Sequence, residues 1–132
     1  MVLLKNLFLN IFIVLLIITV AYARDYKVRK KSGNFIVEMM IDRNPPIVDK
    51  NKITLEIKDD RGKYITDAKV MVNYYMSPMP GMPPMNYTTR AQLYGHEYRA
   101  TMDLIMAGPW NVVVSIIRGG RTSAVTFAID VR

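Results

Sequence analysis

The sequence predicts an all-β chain, folded as an immunoglobulin-like β-sandwich of about seven strands. Three observations predict it. Beyond Lys31, apolar residues alternate with more polar ones in runs of strand length. Clusters of Gly, Pro, Asn and Asp interrupt those runs at short intervals. No stretch in that part of the chain keeps the 3.6-residue apolar period of a helix.

The elements follow in order. Phe35, Val37, Met39 and Ile41 share one face of a first strand, which Asn44-Pro45-Pro46 ends. Ile53, Leu55 and Ile57 alternate with Thr54, Glu56 and Lys58, and Asp59-Asp60-Arg61-Gly62 closes the run as a turn. Further strands are predicted over 70–75, 87–93, 98–104, 110–117 and 124–131. In the last, Val125, Phe127, Ile129 and Val131 face one way. Gly95-His96 parts the fourth and fifth runs, Gly108-Pro109 precedes Trp110, and Gly119-Gly120 suits a two-residue hairpin turn. Trp110, near the start of a strand, is expected in the core.

The first 23 residues read differently. Met1 to Asn6 carries one positive charge, Lys5, Leu7 to Val20 is almost wholly apolar, and Ala21-Tyr22-Ala23 is a small-x-small cleavage pattern. Residues 1–23 are therefore expected to be a signal peptide, cut before Arg24. The apolar run is short for a membrane span of roughly 20 residues. An uncleaved anchor, giving membrane contact through the N-terminus, is the alternative. Residues 24–32, with Arg24, Lys27, Arg29, Lys30 and Lys31, are expected to form a basic, solvated tether. Residues 33–132 form the sandwich domain.

Composition narrows the function. The chain carries a net charge of +7, but outside 24–31 its basic residues are scattered, so no nucleic-acid partner is expected. It has no Cys, which removes disulfides, thiolate metal sites, Cys nucleophiles and a lipid-anchored N-terminus together. There is no Gly-rich phosphate loop, and the lone histidine, His96, sits in a turn with no matching nucleophile. The chain is expected not to be an enzyme, and to be exported to the periplasm or cell envelope.

One segment has the composition for chemistry. In Met76-Ser77-Pro78-Met79-Pro80-Gly81-Met82-Pro83-Pro84-Met85, methionine recurs at every third position with prolines between. A polyproline II run has three residues per turn, which lines Met76, Met79, Met82 and Met85 along one face. Thioether sulfur is a soft donor that selects Cu(I). At a rise of about 3.1 Å per residue, neighbouring methionines in a straight run are about 9 Å apart, so three sulfurs meet on one ion only if the loop bends, most readily at Gly81. Strand alternation puts 43–51, 76–86 and 105–109 at one end of the sandwich, and 59–67, 95–96 and 119–120 at the other. Met106 then belongs to the methionine end, and His96 lies a strand length away, roughly 23 Å. Two other readings of the loop stay open: a cap over the core, and a forgiving contact surface for a partner.

Four stretches together resemble a known family. Gly62 to Val70, Met79-Pro80-Gly81-Met82-Pro83, Tyr98 to Met102 and Met106-Ala107-Gly108-Pro109-Trp110 are similar in order and spacing to YtkA-like and FixH-like domains, over about residues 33–131. The resemblance implies an immunoglobulin-like sandwich outside the cytoplasmic membrane, associated with copper handling. FixH-like proteins are linked to cation pumps serving respiratory oxidase assembly, and YtkA-like domains occur beside heavy-metal efflux adaptors. It points to Met79, Met82 and Met106 as metal-site residues. FixH-like proteins usually keep a membrane helix, whereas this N-terminus reads as cleavable, and no His accompanies the methionines of this loop. The expectation is an accessory domain in copper or heavy-metal handling or oxidase assembly. Its Met-Pro loop binds Cu(I) or an envelope partner such as a metal transporter or an assembly factor. The alternative is a metal-free interaction module docking onto an envelope complex.

Overall fold

Residues 25–132 are described by the computed structural model; the segment expected to be a signal peptide or an anchor falls outside them. The described chain forms nine strands: β1 (Tyr26–Ser32), β2 (Phe35–Ile41), β3 (Asp49–Lys58), β4 (Lys69–Tyr75), β5 (Asn86–Arg90), β6 (Gln92–Tyr94), β7 (Glu97–Leu104), β8 (Gly108–Arg118) and β9 (Arg121–Val131). They make two antiparallel sheets, of order β1-β2-β3-β7-β6 and β5-β4-β8-β9. With β1 set aside, these are the A-B-E-D and C′-C-F-G orders of the immunoglobulin sandwich.

The alternation read from the sequence is the alternation of burial. Val37, Met39 and Ile41 on β2, Ile53, Leu55 and Ile57 on β3, and Val112, Val114 and Ile116 on β8 are fully buried, while their neighbours face outward. Trp110, Tyr98 and Phe127 are the largest fully buried side chains. Without a disulfide, two tyrosine hydroxyls link the sheets. Tyr98 on β7 accepts the Ala68 N–H at the entrance to β4 (3.2 Å), and Tyr74 on β4 accepts the Asp103 N–H of β7 (3.3 Å). Burial holds the Tyr98 hydroxyl above its ordinary pKa, partly countered by the Ala68 bond. Tyr74→Phe leaves the Asp103 N–H without its partner, and is expected to cost about 1–2 kcal/mol in urea denaturation, with an unchanged m-value.

The turn at Asp59 is held as its sequence indicates. Asp59 Oδ1 accepts the N–H groups of Arg61 and Lys63, both at 2.9 Å. The Lys63 bond in particular holds the Asp59 carboxyl below its usual pKa. The contribution is therefore present above the ordinary carboxylate range and lost as pH falls through the lowered value.

Two expectations are corrected. Residues 26–32, expected within a solvated tether, are β1, in register with β2 from Tyr26 opposite Ile41 to Ser32 opposite Phe35. The reason lies across the sandwich. β9 is the edge of its sheet, where one row of backbone groups has no ladder partner. Lys30 Nζ and Ser32 Oγ donate to the carbonyls of Thr126 and Ala124, each at 2.7 Å, and Tyr26 Oη reaches that of Ala128 at 3.4 Å. β1 thus shields the β9 edge, with Lys30 lying over the Phe127 ring.

The predicted strand 87–93 is two strands in different sheets. At Ala91, which is buried and donates its N–H to Val70 (2.9 Å), the chain leaves β4 and crosses to β7. That crossing closes the other side of the sandwich.

Candidate functional site at the methionine loop

The loop 76–85 is a hairpin extension, not a straight run. β4 and β5 pair up to Tyr75 opposite Asn86, and the Met76 N–H continues the ladder onto the Met85 carbonyl at 3.1 Å. At the tip the Met82 N–H donates to the Met79 carbonyl at 3.2 Å, around Pro80 and Gly81. Gly81 has φ = 78°. Proline then glycine at the central positions, with positive φ at the second, is a type II turn. The bend falls at Gly81, where the sequence placed it.

The turn turns the three-residue spacing into a mirror pattern. Met79 faces Met82 beside the tip, and Met76 faces Met85 at the base. A β-turn brings its end α-carbons within about 7 Å, against about 9 Å in the straight run. The two pairs differ in exposure: Met79 and Met82 are 42% and 40% exposed, whereas Met76 is 7% exposed and Met85 packs half-buried on the core. Together with Tyr75, Pro78, Pro83 and Pro84, the four methionines line a concavity of about 250 Å³. No carboxylate, amine or imidazole is among its lining residues.

The base is locked to the neighbouring loop. Gly108 has φ = 125°, and a β-carbon there would stand 3.0 Å from the Met76 methyl. Met106 lies at this end, as expected from alternation, half-buried against the core, and its carbonyl accepts the Trp110 Nε1–H at 2.8 Å. It does not line the concavity. The structure therefore brings Met76, Met79, Met82 and Met85 together and leaves Met106 beside them. His96 is at the other end, stacked on Tyr64 with centroids 4.1 Å apart.

Sequence reasoning missed the support under the loop. Tyr74, Tyr87 and Trp110 form a cluster with ring centroids 5.5–6.5 Å apart. It also missed that Val48, Tyr87 and Ile105 are exposed, on or beside the loops of this end. The strands and loops supplying these residues are separated in sequence, and only the strand pairing makes them neighbours.

The four stretches noted in the sequence fall on the entrance to β4, the hairpin tip, β7 and the entrance to β8, all parts of one sandwich. The family model described as YtkA-like matches residues 29–115, from within β1 to within β8. The chain belongs to the YtkA-like family. No curated protein and no solved structure gives a significant match. The match takes in the whole methionine hairpin of this YtkA-like domain and stops short of β9, which pairs with β8 along its full length.

Proposed function

We propose that this YtkA-like domain is an exported accessory of the cell envelope that binds Cu(I) through Met79 and Met82, in copper handling or oxidase assembly, and is not an enzyme. The observation that carries the reading is the type II turn at Pro80-Gly81, which sets two part-exposed methionines face to face above a second pair. Four thioethers, in a lining whose other polar side chains (Tyr75, Ser77 and Asn86) are neutral, fit a soft monovalent ion better than a hard cation. Met79 and Met82 are the main ligands. Met76 and Met85 close the base, and Met106 is within the neighbouring loop as a helper. Bound copper would supply a soft, exchangeable ion at a tip that a membrane transporter or assembly factor can reach.

A second reading is a metal-free docking module. It is favoured by Val48, Tyr87 and Ile105, whose exposure widens the apolar tip beyond what a metal site needs. Titration of the full chain with Cu(I) against a competing chelator separates the two, beside the Met79→Ala/Met82→Ala variant. Tight one-to-one binding, lost in the variant, is expected. A native chain that folds and binds no Cu(I) leaves the docking module.

A further inference from the structure

The outer face of the five-stranded sheet carries a row of like charges. Register sets Glu38 opposite Glu56, and Glu56 opposite Glu97, on β2, β3 and β7. Like charges directly opposed across strands destabilise a sheet unless cations offset them. The outer two are offset. Lys27 meets Glu38 at 3.2 Å, and Arg99 meets Glu97 through Nη2 at 3.1 Å and Nε at 3.3 Å. Glu56, in the middle, has the His96 imidazole beside it, Nε2 to Oε1 at 3.6 Å, beyond the length of a good hydrogen bond.

We propose that Glu56, His96 and Glu97 form a binding site for a first-row divalent cation of the zinc type, at the opposite end of the sandwich from the methionine loop. One donor atom from each of the three lies within 4.8 Å of the others. Two donors on a tetrahedral zinc, with bonds of about 2.1 Å, stand about 3.4 Å apart. The 3.6 Å between His96 and Glu56 is close to that separation. Both Arg99 contacts fall on Oε2 of Glu97, which leaves Oε1 for the ion. The scaffold is rigid: Glu56 is within β3, Glu97 begins β7, and His96 sits in the tight turn joining β6 to β7, its ring stacked on Tyr64. Lys58 Nζ covers that Tyr64 ring at 4.8 Å. One imidazole nitrogen and two carboxylate oxygens make a borderline-to-hard set, suited to zinc and not to Cu(I). The side chains are 18% (Glu56), 49% (His96) and 27% (Glu97) exposed, so water completes the shell and the ion exchanges.

The site does not depend on the copper reading, and the test keeps them apart. The full chain, in mild detergent and a non-chelating buffer, is titrated calorimetrically with zinc chloride, and its melting temperature is followed with and without zinc. One zinc per chain is expected. His96→Ala and Glu56→Gln should each weaken binding by at least about tenfold, the scale on which even residues that only support a ligand matter. Both should abolish the zinc-dependent rise in melting temperature, while Met79→Ala/Met82→Ala leaves zinc binding unchanged. Glu56→Gln also removes the central like charge, so its metal-free form should melt no lower than the native chain, and loss of binding then is not loss of fold. No zinc binding by the native chain, or native-strength binding by His96→Ala, overturns the assignment.

Discussion

Trp110→Ala is expected to destabilise the domain by about 3–5 kcal/mol, the range for removing a buried tryptophan. Trp110 is 1% exposed, packs against Tyr74 and Tyr87, and donates its Nε1–H to the Met106 carbonyl at 2.8 Å. Truncation leaves a cavity between the sheets and a carbonyl without its donor. A domain of this size shifts its melting temperature by roughly 4–8 °C per kcal/mol, so a drop of about 12–40 °C follows. Far-UV circular dichroism is the right probe, because Trp110 is the only tryptophan and tryptophan fluorescence is lost with it. Trp110→Phe separates the two contributions: it keeps an aromatic ring and loses the hydrogen bond, and should recover more than half of the loss. A fall below about 1 kcal/mol in Trp110→Ala is outside what a fully buried tryptophan gives, and contradicts its place in the core.

The strands legible in the sequence are those whose partners reinforce a local pattern. On β2, β3, β8 and β9 a buried residue recurs at every second position over most of the strand, and period-two alternation is enough to find them. β1 escaped because Lys27, Arg29, Lys30 and Lys31 swamp its two apolar positions, Tyr26 and Val28. What makes it a strand is the capping of β9 carbonyls, far along the chain. The sheet switch at Ala91 escaped for a related reason. Alternation says that a residue is buried, and says nothing of which sheet its neighbours join.

The candidate site divides in the same way. Pro80-Gly81 is a local turn signal, and it located the bend between Met79 and Met82. The division into a base pair, of which Met76 is buried and Met85 half-buried, and an exposed pair at the tip follows from the hairpin register, which puts Met76 under Gly108. Met106 was placed at the correct end by strand counting, yet packing turns it toward the core and out of the concavity. The Glu38-Glu56-Glu97 row is invisible in sequence, because three strands from distant parts of the chain must pair before the charges meet. His96 read alone is a turn residue; beside that row it becomes a ligand.

Asn51→Ala is expected to cost about 2–4 kcal/mol, since three hydrogen bonds to backbone are lost where water does not reach. Asn51 is fully buried, the one polar side chain in the core among the described residues. Its Nδ2 donates to the carbonyls of Ile47 (2.7 Å) and Asp49 (2.8 Å), and its Oδ1 accepts the Ile47 N–H at 3.1 Å. The next bonds outward tie the last residue to the same loop: the Val48 N–H donates to the Arg132 carbonyl (3.0 Å), and the Arg132 N–H to that of Pro46 (2.9 Å). Asn51→Asp tests the same clamp through pH. It keeps the shape, but a carboxylate turns an acceptor toward the Ile47 and Asp49 carbonyls and buries a charge, so its folded pKa rises above the unfolded value. A group of that kind stabilises the fold least where it must be ionised. The variant should therefore be less stable than Asn51→Ala at pH 7 and regain ground as pH falls through the carboxylate range, where the protonated acid donates one bond again. Urea midpoints of the two variants at pH 7 and pH 4.5 measure this directly, and their difference cancels the titration of every other carboxylate. A difference that does not move with pH means that residue 51 is solvated and holds no clamp.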